Sequence, residues 1–277
     1  MNCERFYRMK KFVIYKNPYK DRDELITGRV INALKAYGAE VSIFDGITDT
    51  YGEDTMMVVL GGDGTILRAI REANFSAGPI IGVNLGTLGF LTEIEPDSIE
   101  KAMGMLVNDE FTVEKRLLLE GCVGDGETVR ALNDVVLTRN GGLRISDFDI
   151  TVNDQMLAEY MADGVIISTP TGSTGYNLSA GGPIASPASE LIMLTPICPH
   201  TLNHRSIILS NKDEIRIDIP PANDGNQQEM ELSFDGSSKK TVRTGDVIHV
   251  RSSQSKVSFA KLGKDSFLEV LNKKMSI

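Results

Sequence analysis

The tract VVLGGDGTILRA at residues 58–69 constrains the fold of this chain more than any other. Its unbroken apolar start is typical of a strand that is covered on both faces, as in a parallel sheet. The strand ends in Gly61, Gly62, Asp63, Gly64 and Thr65, and a helical pattern follows. Glycines let backbone N–H groups approach an anion closely, and the positive end of the helix dipole lies at the same place. The tract therefore predicts a phosphate-binding loop between a strand and a helix.

Asp63 indicates what this loop does with phosphate. The loop is not a Walker A motif, because the Gly-Lys-Ser/Thr ending is missing. A carboxylate repels phosphate unless it binds Mg²⁺ or accepts a proton from an attacking hydroxyl, so Asp63 favours phosphoryl transfer over simple anion binding. The alternative from the loop alone is a tight turn in which Asp63 caps the helix.

The residues around this loop alternate between strand-like and helical patterns. Strands are predicted at residues 11–15, 41–44, 56–60 and 79–84, and helices at 23–37, 65–74 and 97–106. This alternation predicts an α/β N-terminal domain with a parallel doubly wound sheet, over residues 1–109. Short strand-like runs separated by Gly, Asn and Asp turns predict a mainly β C-terminal domain over 110–277. Its last segment is able to pack back on the first domain, and KKMSI at the end is expected to be a solvated tail.

The amino-acid composition limits the partners and the compartment that we expect for this protein. The 38 acidic residues outnumber the 29 Lys and Arg residues, and the net charge of -9 argues against broad binding to nucleic acid or acidic membranes. A local cationic pocket remains compatible with this charge. The sequence shows neither a signal peptide nor an apolar run of about 18 residues, so no membrane partner is expected. Three cysteines without a Cys-x-x-Cys pair fit a reducing compartment, and we expect a cytoplasmic protein.

His200 and His204 have a spacing that could bind a metal on a helix. Pro196 and Pro199 interrupt any helix here, and no third ligand has a suitable spacing. We therefore predict no direct metal ligation by the protein.

Two further tracts carry candidate binding residues. GVNLGTLGFLTEI (82–94) follows the next strand, so its glycines should flank the same crevice as the first loop. Its Phe90 and Leu91 can line a nucleotide base or form apolar core, and composition favours core.

The second tract, STPTGSTGYNLSAGGP (168–183), continues the strand VIIS with a run of hydroxyls and glycines. Such neutral groups suit a ligand with many hydroxyls, such as a ribose, and Tyr176 offers a ring for stacking on a base; a surface loop is the alternative.

Five tracts together carry a resemblance to a known family. GGDGT, NLGTLGFL, LNDVVL, STPTGSTGYNLSAGGP and LTPICPHTL occur in the order and at the separations that are typical of the NAD kinase family. The resemblance covers roughly residues 56–250. GGDGT alone is also similar to loops of lipid kinases and phosphofructokinases, whereas TPTGSTGY with NDVV upstream is much more specific.

The resemblance implies transfer of the γ-phosphoryl of ATP to the 2′-hydroxyl of the adenosine ribose of NAD, which gives NADP. Asp63 matches the family's catalytic aspartate and would accept the hydroxyl proton while Mg²⁺, or another divalent cation, accompanies ATP. The implied phosphate-binding residues are Gly61, Gly62, Gly64, Thr65 and Arg68. For Arg68, a solvated helix face is an equal alternative.

The resemblance also implies contacts with NAD. Asn133 and Asp134 stand where the family usually has Asn-Glu, whose side chains hold the ribose and base. A carboxylate there would favour a free hydroxyl over a second phosphate. The other implied NAD contacts are Asp63, Gly64, Phe90, Arg144, Asp163, Thr171, Thr174, Gly175, Tyr176, Asn177 and Ser179. Arg144 would reach the dinucleotide from a neighbouring subunit, because family members are usually dimers or tetramers. Ser237 replaces the amide of the family's Asp-Gly-Gln segment.

Two other functions remain as alternatives. A soluble lipid kinase of the diacylglycerol-kinase type shares GGDGT, but its acceptor requires an apolar cleft. A non-catalytic dinucleotide-binding protein needs no base, so its function would survive Asp63→Asn.

Overall fold

A computed structural model describes residues 11–46, 54–75, 78–140, 145–200, 205–263 and 266–275. The chain divides into two compact units, Met1–Lys115 with Val257–Ile277, and Arg116–Lys256. Within the described ranges, no helix is long and apolar enough to cross a membrane.

The first unit is built from a parallel sheet and helices. Its elements in chain order are β1 (Lys11–Lys16), α1 (Leu25–Ala36), β2 (Glu40–Ile43), β3 (Thr55–Gly61), α2 (Asp63–Glu72), β4 (Ile80–Asn84), β5 (Thr92–Ile94) and α3 (Ile99–Val107). The strands lie in the order β2-β1-β3-β4-β5, and every neighbouring pair is parallel. The predicted α/β sheet is therefore confirmed.

Helices cover both faces of this sheet. Val30 and Leu34 of α1 join Ile99 and Met103 of α3 in one buried core, which also contains alternate residues of the central strands. The opposite face carries α2, because a Cβ added to Gly82 would lie 2.6 Å from Cδ1 of Ile66. Apolar residues on both faces of β3 explain why its sequence is an unbroken apolar run.

The strand order creates a switch point between β1 and β3. The chain leaves β1 toward β2 on one side and returns to β3 on the other side. Loops at the carboxyl ends of two such strands diverge and leave a crevice, where ligands of open α/β sheets usually bind. The segment after β1 and the glycine loop after β3 therefore occupy the position that this fold favours for a ligand.

The second unit is almost entirely β. Its strands in chain order are β6 (Thr112–Val123), β7 (Val129–Ala131), β8 (Asp134–Arg139), β9 (Ser146–Val152), β10 (Gln155–Ala162), β11 (Gly164–Ser168), β12 (Leu191–Ile197), β13 (Ile207–Ser210), β14 (Ile215–Asp218), β15 (Glu229–Phe234), β16 (Ser238–Arg243) and β17 (Val247–Lys261). One short helix, α4 (Tyr176–Ser179), lies between β11 and β12. The mainly β character is as predicted.

The strands of this unit form two antiparallel layers around one core. One sheet has the order β13-β12-β11-β8-β15-β16, and the other places β10, β9, β14 and β17 side by side. Alternate residues of both layers, such as Leu137, Ile167 and Ile217, belong to one buried cluster. Phe148 and Tyr160 stack within it at 5.5 Å between ring centroids.

The chain returns to the first unit at its end. Phe259 of β17 pairs in parallel with Ile80 of β4, and helix α5 (Phe267–Met275) follows. Lys273 to Met275, which the sequence predicts as part of a solvated tail, are exposed, and they form the last turn of this helix.

Candidate functional site

A cavity of about 350 Å³ lies at the carboxyl edge of the first unit's sheet. Its lining residues come from the segments that follow β1, β3 and β4, and from α2 and α5: Asn17, Lys20, Gly62, Asp63, Gly64, Thr65, Arg68, Thr87, Leu88, Gly89 and Lys274. The cavity brings together all but one of the predicted phosphate-binding residues. The exception is Gly61, which is buried at the end of β3 and does not line the cavity.

Gly61 and Thr65 depend on each other. A Cβ added to Gly61 would lie 2.5 Å from Cβ of Thr65, so only glycine leaves room for the threonine. Thr65 is buried, and its Oγ1 accepts a hydrogen bond of 3.2 Å from Nδ2 of Asn17. The role of Gly61 is therefore packing rather than the predicted phosphate contact, and Asn17 is a neighbour that sequence reasoning missed.

The Asp63 carboxylate is held by two backbone amides. The N–H of Phe90 donates to Oδ2 at 2.8 Å, and the N–H of Leu91 donates to Oδ1 at 3.1 Å. Helix α2 begins at Asp63 with Gly62 as its N-cap residue, and Asp63 makes no capping hydrogen bond. The alternative interpretation of Asp63 as a helix cap is therefore wrong. The two amides fix the carboxylate while each oxygen keeps a lone pair for another donor.

Gly89 makes this arrangement possible. A Cβ at this position would overlap Oδ1 of Asp63 and lie 2.8 Å from its Cγ. The tract 82–94 therefore serves the first loop directly, because one of its glycines makes room for the carboxylate and the next two residues orient it. Sequence reasoning placed the two loops at one crevice but did not identify this contact.

Phe90 has contacts that bear on its predicted role. Its half-buried ring lies 6.1 Å from that of Phe267, and Nζ of Lys274 lies 4.4 Å from its centroid. The ring therefore contacts α5, while Leu91 is buried. The expected contact of Phe90 with a nucleotide base stays a prediction.

Arg68 lines the cavity and is held from behind. Its Nε donates to Oη of Tyr15 at 2.8 Å, and Tyr15 in turn donates to Oε2 of Glu72 at 2.8 Å. Burial, followed by the hydrogen bond to Glu72, raises the pKa of Tyr15 and keeps its hydroxyl protonated. The fixed guanidinium disagrees with a purely solvated helix face and fits a phosphate contact.

In the second unit, two neighbouring segments clamp the backbone of the Asn133 loop, residues 132–134. The Asp235 carboxylate accepts N–H groups of Leu132 at 2.8 Å, Asn133 at 2.7 Å and Asp134 at 3.2 Å. Oγ1 of Thr169 donates to the carbonyl of Leu132 at 2.6 Å, while the Thr169 N–H donates to that of Asn133 at 2.8 Å. Asp235 belongs to the SFDGS segment, so this segment serves the loop through its aspartate, whereas Ser237 is exposed.

The two side chains at the centre of this loop retain polar groups without protein partners. Within the described ranges, no donor reaches Oδ1 of Asn133, and the Asp134 carboxylate accepts no hydrogen bond. Asp134 is only 6% exposed, and burial, with a smaller contribution from Asp235, raises its pKa to about 7. Both residues can therefore still hydrogen-bond to a ligand.

The hydroxyl-rich tract divides into buried and accessible residues. Tyr176 and Ser179 are exposed at α4, and Thr174 and Gly175 are half-buried. Thr171 is buried, and its Oγ1 accepts a hydrogen bond from Arg116 at 3.3 Å.

Asn177 does not have the role that was predicted for it. Its side chain is fully buried, donates to the carbonyls of Ser173 and Pro183, and accepts from Thr195 at 2.7 Å. These bonds use its polar groups inside the protein, so Asn177 supports the tract rather than contacting NAD with its side chain.

Three other predictions concern isolated residues. Asp163 forms an ion pair with Arg139, with 3.2 Å between Oδ1 and Nε. Arg144 and His204 lie outside the described residues. No group of three potential metal ligands occurs in the described part of the chain.

The fold and the cavity define a class of protein. A glycine loop at the switch point of a parallel sheet, with a fixed carboxylate and several cations in one cavity, is typical of a phosphotransferase. Family models for the ATP-NAD kinase N-terminal domain and C-terminal domain match residues 49–111 and 132–262. The chain belongs to the NAD kinase family.

Individual relatives agree with this membership. NAD kinases of Lachnospira eligens and Lachnoclostridium phytofermentans are each 42% identical, over 96% of this chain and 100% and 99% of their own lengths. A yeast NADH kinase complexed with NADH has a TM-score of 0.83 at 26% identity, covering 98% of this chain and 88% of that one. An Archaeoglobus fulgidus NAD kinase in complex with ATP has a TM-score of 0.76 at 26% identity, covering 96% and 99%. Neither the lipid-kinase nor the non-catalytic alternative is supported.

Proposed function

We propose that this chain transfers the γ-phosphoryl of ATP to the 2′-hydroxyl of the adenosine ribose of NAD, with Asp63 as general base. The observation that carries the assignment of the base is the pair of backbone amides that hold the Asp63 carboxylate. A capping aspartate would instead use its oxygens to accept the N–H groups of its own helix. Family membership supports ATP and NAD as the substrates.

The reaction needs a base because an alkyl hydroxyl is almost entirely protonated at neutral pH. As the 2′-oxygen forms its bond to the γ-phosphorus, the bond to the bridging β-γ oxygen breaks and ADP leaves. Asp63 accepts the hydroxyl proton in this step, and its two amide hydrogen bonds keep the acceptor oxygen in position. The products are NADP, ADP and the proton that Asp63 later gives to solvent.

Charge on the moving phosphoryl group is balanced by the rest of the cavity. Backbone N–H groups of Gly62 and Gly64 lie at the start of α2, and the Arg68 guanidinium is fixed by Tyr15. These donors are in place before the reaction and need little reorganisation. Thr65 is buried against Gly61, so we assign it a contact through its backbone rather than its hydroxyl.

A divalent cation would accompany ATP. In the described part of the cavity, Asp63 is the single carboxylate, so most ligands of the ion would be phosphate oxygens and water. A bound Mg²⁺ would neutralise charge on the β- and γ-phosphates.

The second unit supplies groups that suit a dinucleotide. We assign the ribose and base to Asn133 and Asp134, whose side chains keep free hydrogen-bonding capacity, and to Thr174, Gly175, Tyr176 and Ser179. An ionised Asp134 accepts from a ribose hydroxyl and repels a 2′-phosphate, which favours NAD over NADP. Asp163 and the backbone around Thr171 are further candidates. An assembly of two or four subunits, to which Arg144 would contribute, and a cytoplasmic location stay predictions.

One endpoint assay tests the reaction. Purified protein is incubated with Mg-ATP and NAD, and NADP is detected with an NADP-specific dehydrogenase; parallel samples contain polyphosphate instead of ATP, or diacylglycerol instead of NAD. The proposal expects NADP from ATP and NAD and no phosphatidate. Phosphatidate formation, or binding of NAD without any NADP from either donor, would overturn it.

A further inference from the structure

The cavity of the first unit carries more positive charge than the glycine loop alone explains. Lys20, Arg68 and Lys274 line it beside the single carboxylate of Asp63, although the whole chain has a net charge of -9. The three cations come from segments that are far apart in sequence, namely the segment after β1, helix α2 and the C-terminal helix α5. Only Arg68 belongs to the tract that suggested phosphate binding.

Neither of the two cavity lysines pairs with a carboxylate among the described residues, unlike several other cations of this unit. Arg29 pairs with Glu100 at 2.9 Å, and Lys11 lies 3.9 Å from Asp54. By contrast, neither Lys20 nor Lys274 forms an ion pair with any described residue. Bringing unpaired cations to one cavity is unfavourable without an anion, so the arrangement indicates a ligand of high negative charge.

The position of Lys20 places its charge over the glycine loop. A Cβ added to Gly62 would lie 3.4 Å from Nζ of Lys20, and one added to Gly86 would lie 3.1 Å from it. The ammonium group therefore lies close to the backbone of loops that follow β3 and β4. Since Lys20 follows β1, it approaches the switch point from the opposite strand.

The position of Lys274 is set by the aromatic residues of α5 and the second loop. Phe267, at the start of α5, lies against Phe90, and Lys274, two helical turns later, has its Nζ over the same ring. The cation–π contact holds the ammonium group at the edge of the cavity without neutralising it. The backbone N–H of Phe90 also binds Asp63, so Lys274 lies beside the residue that orients the proposed base.

We propose that Lys20 and Lys274 bind the terminal phosphates of ATP and, with Arg68, form a three-cation clamp on the donor. This inference rests on the proposed function for the identity of the donor. Both lysines are positioning residues, because they hold the phosphates that react and take no part in proton transfer. The C-terminal helix thereby becomes part of the donor site, although its last residues are predicted from sequence as a solvated tail.

The test compares the affinities of AMP, ADP and ATP for four variants by titration calorimetry in the presence of Mg²⁺. Lys20→Met and Lys274→Met keep the length of the side chain and remove its charge. Lys273→Met is the matched control for α5, and Lys101→Met, at an exposed position of α3, is the control for Lys20; neither lines the cavity. Each of the four variants loses one positive charge, so an effect of net charge alone on ATP affinity would appear in the control variants as well.

In the wild type, affinity should rise with each added phosphate. Each of the two cavity variants should lose roughly tenfold in ATP affinity, with little change for AMP, because a charge-assisted contact to the outer phosphates is missing. The Michaelis constant for ATP should rise by about the same factor, while that for NAD stays near the wild-type value. Lys274→Arg should restore ATP binding, since it keeps the charge.

Equal ATP affinity in the wild type and both cavity variants would overturn the inference. So would an equal loss in Lys273→Met, or a loss that is as large for AMP as for ATP, because either result indicates a nonspecific or structural effect. The binding experiment is independent of the acceptor. A wild-type protein that binds ATP through these lysines but makes no NADP would contradict the proposed function and leave the clamp standing.

Discussion

The cavity of the first unit and the Asn133 loop of the second unit treat charge in opposite ways. In the cavity, the Asp63 carboxylate accepts two backbone amides, and three cations line the same cavity at the carboxyl edge of a sheet. In the loop, Asp134 is buried beside a second carboxylate, Asp235, and no cation pairs with it among the described residues. One site therefore stabilises negative charge, and the other makes it costly.

This difference matches the two substrates of an NAD kinase. A triphosphate donor requires a site that tolerates several negative charges, whereas the ribose and base of the dinucleotide are neutral and are recognised by hydrogen bonds. Each site also depends on a supporting residue. Gly89 leaves room for the Asp63 carboxylate in the cavity, and the Asp235 carboxylate accepts backbone N–H groups of the Asn133 loop.

Among substitutions of the supporting residues, Gly89→Ala should have the largest effect on activity. Gly89→Ala places a Cβ on Oδ1 of Asp63, so the carboxylate must rotate away from the amides of Phe90 and Leu91. We expect kcat to fall about a hundredfold, because a small displacement of a catalytic group has effects of this size, with little change in NAD binding. Steady-state kinetics and NAD titration measure the two quantities.

Gly28→Ala is the matched control, because a Cβ there meets nothing within 4 Å and the residue lies in α1. It should keep wild-type kcat. If Gly89→Ala also keeps wild-type kcat, the position of the Asp63 carboxylate does not matter for turnover, and the proposed role of the second loop is wrong.

Asp235→Ala should weaken the binding of NAD by the second unit. Asp235→Ala removes the acceptor of three backbone N–H groups, so the Asn133 loop loses its anchor. We expect the Michaelis constant for NAD to rise roughly tenfold and the free energy of unfolding to fall by about 2 to 3 kcal/mol, while the constant for ATP changes little.

Asp246→Ala is a suitable comparison, since Asp246 accepts the N–H of Arg243 in another turn of the same unit. It should lower stability without affecting NAD. An Asp235→Ala protein with an unchanged Michaelis constant for NAD would show that the loop needs no anchor from SFDGS.

Ionisation of the buried Asp134 should make the stability of the protein depend on pH. The pKa of Asp134 is about 7 in the folded protein, above the ordinary value near 3.8, so the folded state binds a proton that the unfolded state has released. The contribution of this bound proton to the free energy of unfolding is fully present below about pH 4 and is lost as the pH rises through about 7. Between about pH 5 and 8 the loss should be about 2 to 3 kcal/mol.

Asp134→Asn cannot ionise and should remove this part of the pH dependence. Urea unfolding of both proteins at several pH values measures the difference, which should grow toward alkaline pH in favour of the variant. Parallel stability curves for the two proteins would mean that Asp134 is not buried as described.

Much of the fold follows from local sequence patterns. Apolar runs such as MMVVL and the helical spacing around Leu34 predicted the parallel sheet and its helices, since these patterns report burial directly. Helix α5 was not predicted: its apolar residues Phe267, Leu268, Val270 and Leu271 fill little more than one turn before the polar end of the chain, and none of its residues is buried. In the second unit, strand β12 contains Pro196, a residue that disfavours a strand assignment from sequence.

The candidate site was predictable in its chemistry but not in its contacts. The tract GGDGTILRA indicated Asp63 and, through the resemblance, Arg68, because glycines and an acid after a buried strand are typical of a phosphate-binding loop. The two amides that hold Asp63 come from residues 27 and 28 positions away, and the carboxylate that holds the Asn133 loop comes from a residue 102 positions from Asn133. Such pairings depend on tertiary structure, and only a signal such as the second glycine tract could have suggested one of them.

The role of Asp63 as general base is tested by the turnover of Asp63→Asn with Mg-ATP and NAD, measured together with the dissociation constants of both substrates. We expect kcat to fall at least about a hundredfold, because the general base is lost, while both dissociation constants stay close to those of the wild type. The asparagine offers one acceptor to two amides, so a thermal melt confirms that the variant is folded. A folded Asp63→Asn protein that retains wild-type kcat would show that Asp63 is not the base.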